Sequence, residues 1–183
     1  MRTFVAVDVL SADIVNLQNE ILHTSGWTQR DIKPVEPQNF HFTLIFLGET
    51  SDHDLERIKE TLADVRFEPF TLTYQGVGGF PSSAAARVVW VGVDQQGAQK
   101  LIALAHEVIL KMSQIGFSAD KPFSPHMTFL RAKGRSVMLK EIAAKYEDRT
   151  FGFDHVDRVH LKKSSLTPSG PVYSNIYTIY AQK

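Results

Sequence analysis

The stretch "NFHFTLIFLGET", residues 39–50, reads as a core strand, yet it opens with an imidazole at His41 and carries a hydroxyl at Thr43. Successive strand side chains point to opposite faces, so His41 and Thr43 project together. A second apolar run, "SPHMTFLRAK" at residues 124–133, repeats the pattern with His126 and Thr128. Working outward from the first run, "TFVAVDV" (3–9) reads as a strand. "SADIVNLQNEILHTSG" (11–26) is a helix with Ser11 as N-cap and Gly26 as its stop. "IKPVEPQN" (32–39) is expected to be a loop, because Pro34 and Pro37 disfavour regular pairing. "SDHDLERIKETLADV" (51–65) is a second helix, and a strand is expected around 69–77.

The same order recurs. A strand (86–94), a helix (97–116) and the loop "KPFSP" (121–125) lead to the second histidine strand. A short helix (137–148), a strand (155–165) and a last strand (174–182) follow. His41 and His126 lie 85 residues apart, and the first strands of the two halves keep about that offset. A shared offset through strand, helix, loop and motif points to an internal repeat. The fold class expected is α+β, a single bilobal domain over residues 1–183 with two pseudo-symmetric lobes.

Composition narrows the chemistry. The 183 residues are enough to bury a substantial core, and 43% are hydrophobic against 22% charged. The 20 basic and 20 acidic residues cancel, so a polyanion site has to be a local concentration of charge. No cysteine is present, which removes disulfides, thiolate nucleophiles and thiolate metal sites and fits a reducing compartment. The N-terminal apolar run is short and broken by Asp8, unlike a signal peptide or a membrane span. A cytoplasmic location with no membrane partner is expected.

If a local dyad relates the lobes, both His-x-Thr pairs face one cleft. Two imidazoles can serve as base and acid in one cycle near neutral pH. The threonine hydroxyls can bond non-bridging phosphate oxygens or hold the imidazoles in place. A phosphodiester suits that set, with one imidazole activating water and the other protonating the departing oxygen. Rival readings lack support. No Gly-x-Ser-x-Gly elbow is present for a serine triad. "GVGGF" (76–80) lacks the dinucleotide spacing, runs into Pro81 and is expected to be a turn. One imidazole and one hydroxyl make a poor metal site.

Taken together, "MRTFVAVD", "VEPQNFHFTLIFLGE", "GVGGFP" leading into "RVVWVGV", "HMTFLR" and "LKKSSLTPSGPVY" span essentially the whole chain. In that order they resemble the RNA 2′,3′-cyclic phosphodiesterase family, formerly called 2′-5′ RNA ligase, of the two-histidine (2H) phosphoesterases. The resemblance implies two lobes around a central groove, each an antiparallel sheet with helices on its outer face. It implies catalytic His41 and His126, with Thr43, Thr128, Arg131 and Phe46 as substrate-binding residues. It also implies opening of a 2′,3′-cyclic phosphate at an RNA end to a 2′-phosphomonoester, without metal or other cofactor. In that scheme His126 activates water and His41 protonates O3′, a division that a pseudo-dyad leaves interchangeable. The partners implied are RNA ends, tRNA fragments among them, met by a monomer. Ligation through a 2′-5′ bond, a non-catalytic RNA- or nucleotide-binding module, and a phosphodiesterase of small cyclic nucleotides stand as alternatives.

Two expectations depend on backbone detail. Arg131 follows His126 by five residues, so simple alternation sends it to the far face unless the strand ends or bulges first. Phe46 holds the same offset after His41, where base stacking and core packing are both open. Phe80 and Arg87 flank a loop that could close over a nucleotide, or Arg87 is a solvated strand end. Arg131, Lys133 and Arg135, with Lys162 and Lys163, make a candidate phosphate patch or an ordinary solvated surface. The remaining histidines read as structural or surface residues.

Overall fold

The computed structural model describes residues 1–168 and 170–182. Among them the chain forms β1 (Arg2–Asp8), α1 (Ala12–Thr24), β2 (Ile32–Pro34), β3 (His41–Glu49), α2 (Asp52–Ala63), β4 (Phe70–Phe80) and β5 (Val88–Val93). Then follow α3 (Gln95–Gln114), β6 (Met127–Ala132), α4 (Lys140–Tyr146), β7 (Thr150–Val156), β8 (Arg158–Thr167) and β9 (Gly170–Tyr180). Local chemistry sets the helix starts. Ser11 caps α1 by accepting from the Asp13 N–H, and Ser51 and Asp54 form a reciprocal capping box on α2.

Two antiparallel sheets result, ordered β3-β1-β8-β9 and β2-β6-β5-β4-β7. The fold is α+β with two antiparallel lobes, but the lobes are not the two sequential halves. β2 and β4 from the first half join the second sheet, and β8 and β9 return to the first. β4 pairs with β5, its neighbour in sequence, as antiparallel strands joined by a short connection do. The single strand expected at 155–165 is two strands meeting at Asp157, because β7 pairs with β4 while β8 pairs with β1. Asp157 is thus the corner where the chain crosses between sheets.

Two further readings are corrected. The 32–39 loop contains β2, which pairs with β6 at the sheet edge. Pro34 is its last residue, where a missing N–H is tolerated. "GVGGF" is not a turn but the end of β4. Gly76 has φ +75° where the β4 register shifts, and a side chain at Gly78 would collide with the Trp90 ring. The glycines there mark a bulge and a close approach.

The backs of the sheets are covered by helices. α3 packs on both β3 and β4, α1 on β7, and α4 on β4. Ile14, Leu17 and Ile21 of α1 and Leu101, Leu104, Val108 and Met112 of α3 are buried there. β3, opened by His41, and β6, which His126 immediately precedes, approach each other where the lobes meet. Among the described residues no helix is long and apolar enough to cross a membrane.

Candidate active site

The two histidine strands share one local design. On β1, Asp8, Ala6 and Phe4 pair with His41, Thr43 and Phe46 of β3. Alternate β1 residues share a face, yet Thr43 and Phe46 are three apart, so Leu44 is an extra, bulged residue. On β5, Trp90 and Val88 pair with Thr128 and Arg131, and Phe129 is the extra residue. Each bulge falls three residues after its histidine. It carries the fifth residue, Phe46 or Arg131, back to the histidine face. The condition placed on Arg131 is met by a bulge, and Phe46 is 66% exposed rather than a core residue.

Both rings are fixed in the same way. His41 Nδ1 lies 2.7 Å from the Asn39 carbonyl oxygen, and His126 Nδ1 lies 2.7 Å from that of Ser124. A carbonyl can only accept, so each Nδ1 carries hydrogen and donates. In the neutral ring the lone pair is then on Nε2, the atom left for acid–base work.

Aromatic side chains wall each ring. Phe4 and Tyr173 stand 5.0 and 5.2 Å from His41, and Phe4 also meets Phe46 at 5.9 Å. Phe80 meets His126 edge-on at 4.8 Å, with Trp90 at 6.4 Å. A partly buried polar network, with His160 and Lys162 its buried members, continues the His41 face of the first sheet. Lys162 donates to Asp8 Oδ1 at 2.8 Å and to Asn175 Oδ1 at 2.7 Å. His160 Nε2 stands 3.5 Å from Asp8 Oδ2, and its Nδ1 is 2.9 Å from Thr178 Oγ1.

These surroundings act on the ring protons. Burial holds the His41 imidazole below the ordinary histidine range, and the Lys162 and Arg131 charges act in the same direction. The Asn39 carbonyl and Asp8 oppose them. Burial likewise lowers His160, against Asp8, and raises the Tyr173 phenol, against Arg131. Arg131 belongs to the second motif, and its charge acts on His41 and Tyr173 of the first sheet.

The cations of the candidate phosphate patch have different surroundings. Lys162 is buried against Asp8, while Lys163 pairs with Thr3 and so lies on the opposite face of β8. Lys133 donates to the Gln29 carbonyl, and Arg87 donates to the Gly134 carbonyl. Arg131 is the member of its run that β6 aims with Thr128. Sequence reasoning left Phe4, Trp90, Tyr173 and the Asp8–Lys162 pair unassigned. The available signal was alternation along β1, which puts Phe4 and Asp8 on one face. Among the described residues no group of three or more His, Asp or Glu is arranged to hold a metal ion.

With this geometry in view, the chain can be compared with known proteins. A family model for LigT-like phosphoesterases matches residues 8–90 and again residues 91–173. The chain belongs to the LigT-like phosphoesterase family. It is 41% identical to an RNA 2′,3′-cyclic phosphodiesterase of Archaeoglobus fulgidus over 179 residues, 96% of this chain and 98% of that one. A protein of the same name from Aeropyrum pernix is 38% identical over 92% of this chain and 94% of its own. Among solved structures, that of Escherichia coli LigT with 3′-AMP superposes with a TM-score of 0.76 at 26% identity. The superposition covers 100% of this chain and 98% of that chain.

Proposed function

We propose that this phosphoesterase hydrolyses RNA 2′,3′-cyclic phosphate ends to 2′-phosphomonoesters, with His126 as base and His41 as acid. His126 Nε2 takes a proton from water as its oxygen bonds phosphorus; the P–O3′ bond breaks, and His41 Nε2–H protonates O3′. Thr43, Thr128 and Arg131 bind the non-bridging oxygens, where positive and hydroxyl groups stabilise the transition state. Phe46 stacks on the terminal base. The observation that carries this reading is the matched pair of Nδ1–H clamps, which leaves an Nε2 available on each motif.

Because burial, Lys162 and Arg131 disfavour the His41 imidazolium, the proton it donates enters together with the substrate, whose phosphate charge reverses the balance. The shared bulge and clamp further support descent of the two halves from one duplicated unit in a single bilobal domain. tRNA fragments as the source of the ends, and action as a cytoplasmic monomer, belong to the same proposal.

The test is a short RNA ending in a 2′,3′-cyclic phosphate, incubated with protein and EDTA and followed by phosphorus NMR. A 2′-phosphate is expected, and it disappears with His41→Ala and with His126→Ala. A 3′-phosphate would overturn the assignment of O3′ as leaving group. No hydrolysis by the folded protein, or activity that EDTA abolishes, would overturn metal-free two-histidine catalysis.

A further inference from the structure

The β6 bulge decides whether Arg131 reaches the groove, so what holds the bulge bears on the site. The carbonyl of Phe129, the extra residue, accepts from the Val35 N–H at 3.0 Å and from the Gln18 side-chain amide at 2.7 Å. The second Gln18 N–H goes to the Val35 carbonyl at 2.9 Å. One amide therefore clasps both the bulge and the chain just past β2, where Pro34 ends the ladder. Gln18 comes from α1, on the inner face that carries Ile14, Leu17 and Ile21, and it is only 4% exposed. A glutamine on an apolar stripe, 111 residues from its partner, needs a reason to be there. Its two donors are matched by two carbonyls, those of Phe129 and Val35.

We infer that Gln18 is a positioning residue for the phosphate site, holding the Phe129 bulge so that Arg131 lies on the face of His126 and Thr128. The inference rests on the role given to Arg131 above. Without the clasp, Phe129 can slip into regular register, which moves Arg131 to the opposite face and turns it from the groove.

The test is a double-substitution cycle with Gln18→Met, which keeps the side chain's length and removes both donors, and Arg131→Ala. On a dinucleotide ending in a 2′,3′-cyclic phosphate, Gln18→Met is expected to lower kcat/KM about tenfold in the parent. In the Arg131→Ala background it is expected to lower it less than about twofold. Equal losses in both backgrounds would show a general packing role and overturn the inference. A loss for Arg131→Ala with none for Gln18→Met would do the same. A second readout does not depend on turnover. His41 is faced by Asp8, Lys162 and Arg131, so withdrawal of Arg131 raises its titration midpoint in NMR. Gln18→Met should reproduce the rise seen with Arg131→Ala, and the double variant should add nothing.

If Arg131→Ala leaves kcat/KM unchanged, the phosphate role of Arg131 fails, and the titration alone decides whether Gln18 positions it. Should Gln18→Met not fold, Gln18→Asn keeps the amide but is too short to span both carbonyls. It should give the same coupled pattern at smaller size, and an uncoupled pattern there overturns the inference equally.

Discussion

Replacing Asp8 by Asn separates the charge pair beneath His41 from its hydrogen bonds. The Lys162 side chain is 6% exposed and that of Asp8 24%, and their charged atoms are 2.8 Å apart. His160, the third member, is held toward its neutral form by burial, so Asp8 and Lys162 carry the charge. Breaking a buried pair by removing one partner costs about 3–5 kcal/mol. Water reaches Asp8, and Asn175 still accepts from the ammonium, so the lower end, about 2–3 kcal/mol, is expected. For a chain of this size that is a fall in Tm of roughly 5–10 °C. Lys162→Met leaves the more exposed partner behind and should cost about 1–2 kcal/mol. The double variant removes both charges and should return to within about 1 kcal/mol of the parent.

Urea denaturation at pH 8, where His41 and His160 stay neutral in both states, measures all four corners of the cycle. Losses that add within about 0.5 kcal/mol would refute the pair as a buried, mutually dependent unit. The same variants should move His41 in opposite directions. Asp8 favours its imidazolium and Lys162 opposes it, so Asp8→Asn lowers and Lys162→Met raises its titration midpoint. Shifts of the same sign would refute the placement of both charges around the ring.

Other outcomes follow from the same geometry. His41 and His160 both have folded-state values below the ordinary 6.5, so the unfolded chain binds more protons as pH falls. Their contribution to stability should be full above pH 6.5 and decline below it toward their folded-state values; a urea midpoint constant from pH 8 to 5 would contradict this. Binding of a non-hydrolysable 2′,3′-cyclic phosphate analogue at pH 7.5 should take up a proton at His41, measured by calorimetry in buffers of different ionisation enthalpy. No uptake would refute entry of the proton together with the substrate. Phe46→Ala should leave the unfolding free energy within about 0.5 kcal/mol of the parent in urea, since the ring is exposed. It should also raise KM for a cyclic-phosphate RNA by roughly tenfold, the scale of one stacked base; lost stability with unchanged KM would make Phe46 a packing residue. Gly78→Val should lower Tm by driving a side chain into Trp90.

Much of this was legible from one chain because periodicity is local. Alternation alone put His41 with Thr43 and His126 with Thr128, and the 3.6-residue stripes of α1, α2 and α3 match their buried faces. What was not legible depends on pairing between distant segments. Nothing local to β4 says that it will lie beside β5 and β7, so "GVGGF" looked like a turn until Trp90 lay across Gly78. Asp157 looked like a mid-strand residue because its two sides pair with different sheets. Lys162 looked like surface charge because its partners, Asp8 and Asn175, come from strands on either side of it in the sheet.

The odd offset of Arg131 and Phe46 shows how the two kinds of information combine. From each histidine, six residues follow the same burial sequence: partly buried, buried, partly buried, buried, buried, exposed. A regular strand cannot bury two neighbours on one side and still return the next residue to the histidine face. Leu44 with Ile45, and Phe129 with Leu130, do so because the first of each pair is the bulged residue. The bulge thus adds a third residue to the histidine face without giving up core. Regular alternation would have placed Ile45 and Leu130 on the histidine face, and both are at most 2% exposed. Two large apolar residues directly after His-x-Thr are therefore the local sign of the bulge. With that sign read, the spacing His-x-Thr-x-x-Arg becomes a statement about one face of one strand rather than an exception to it.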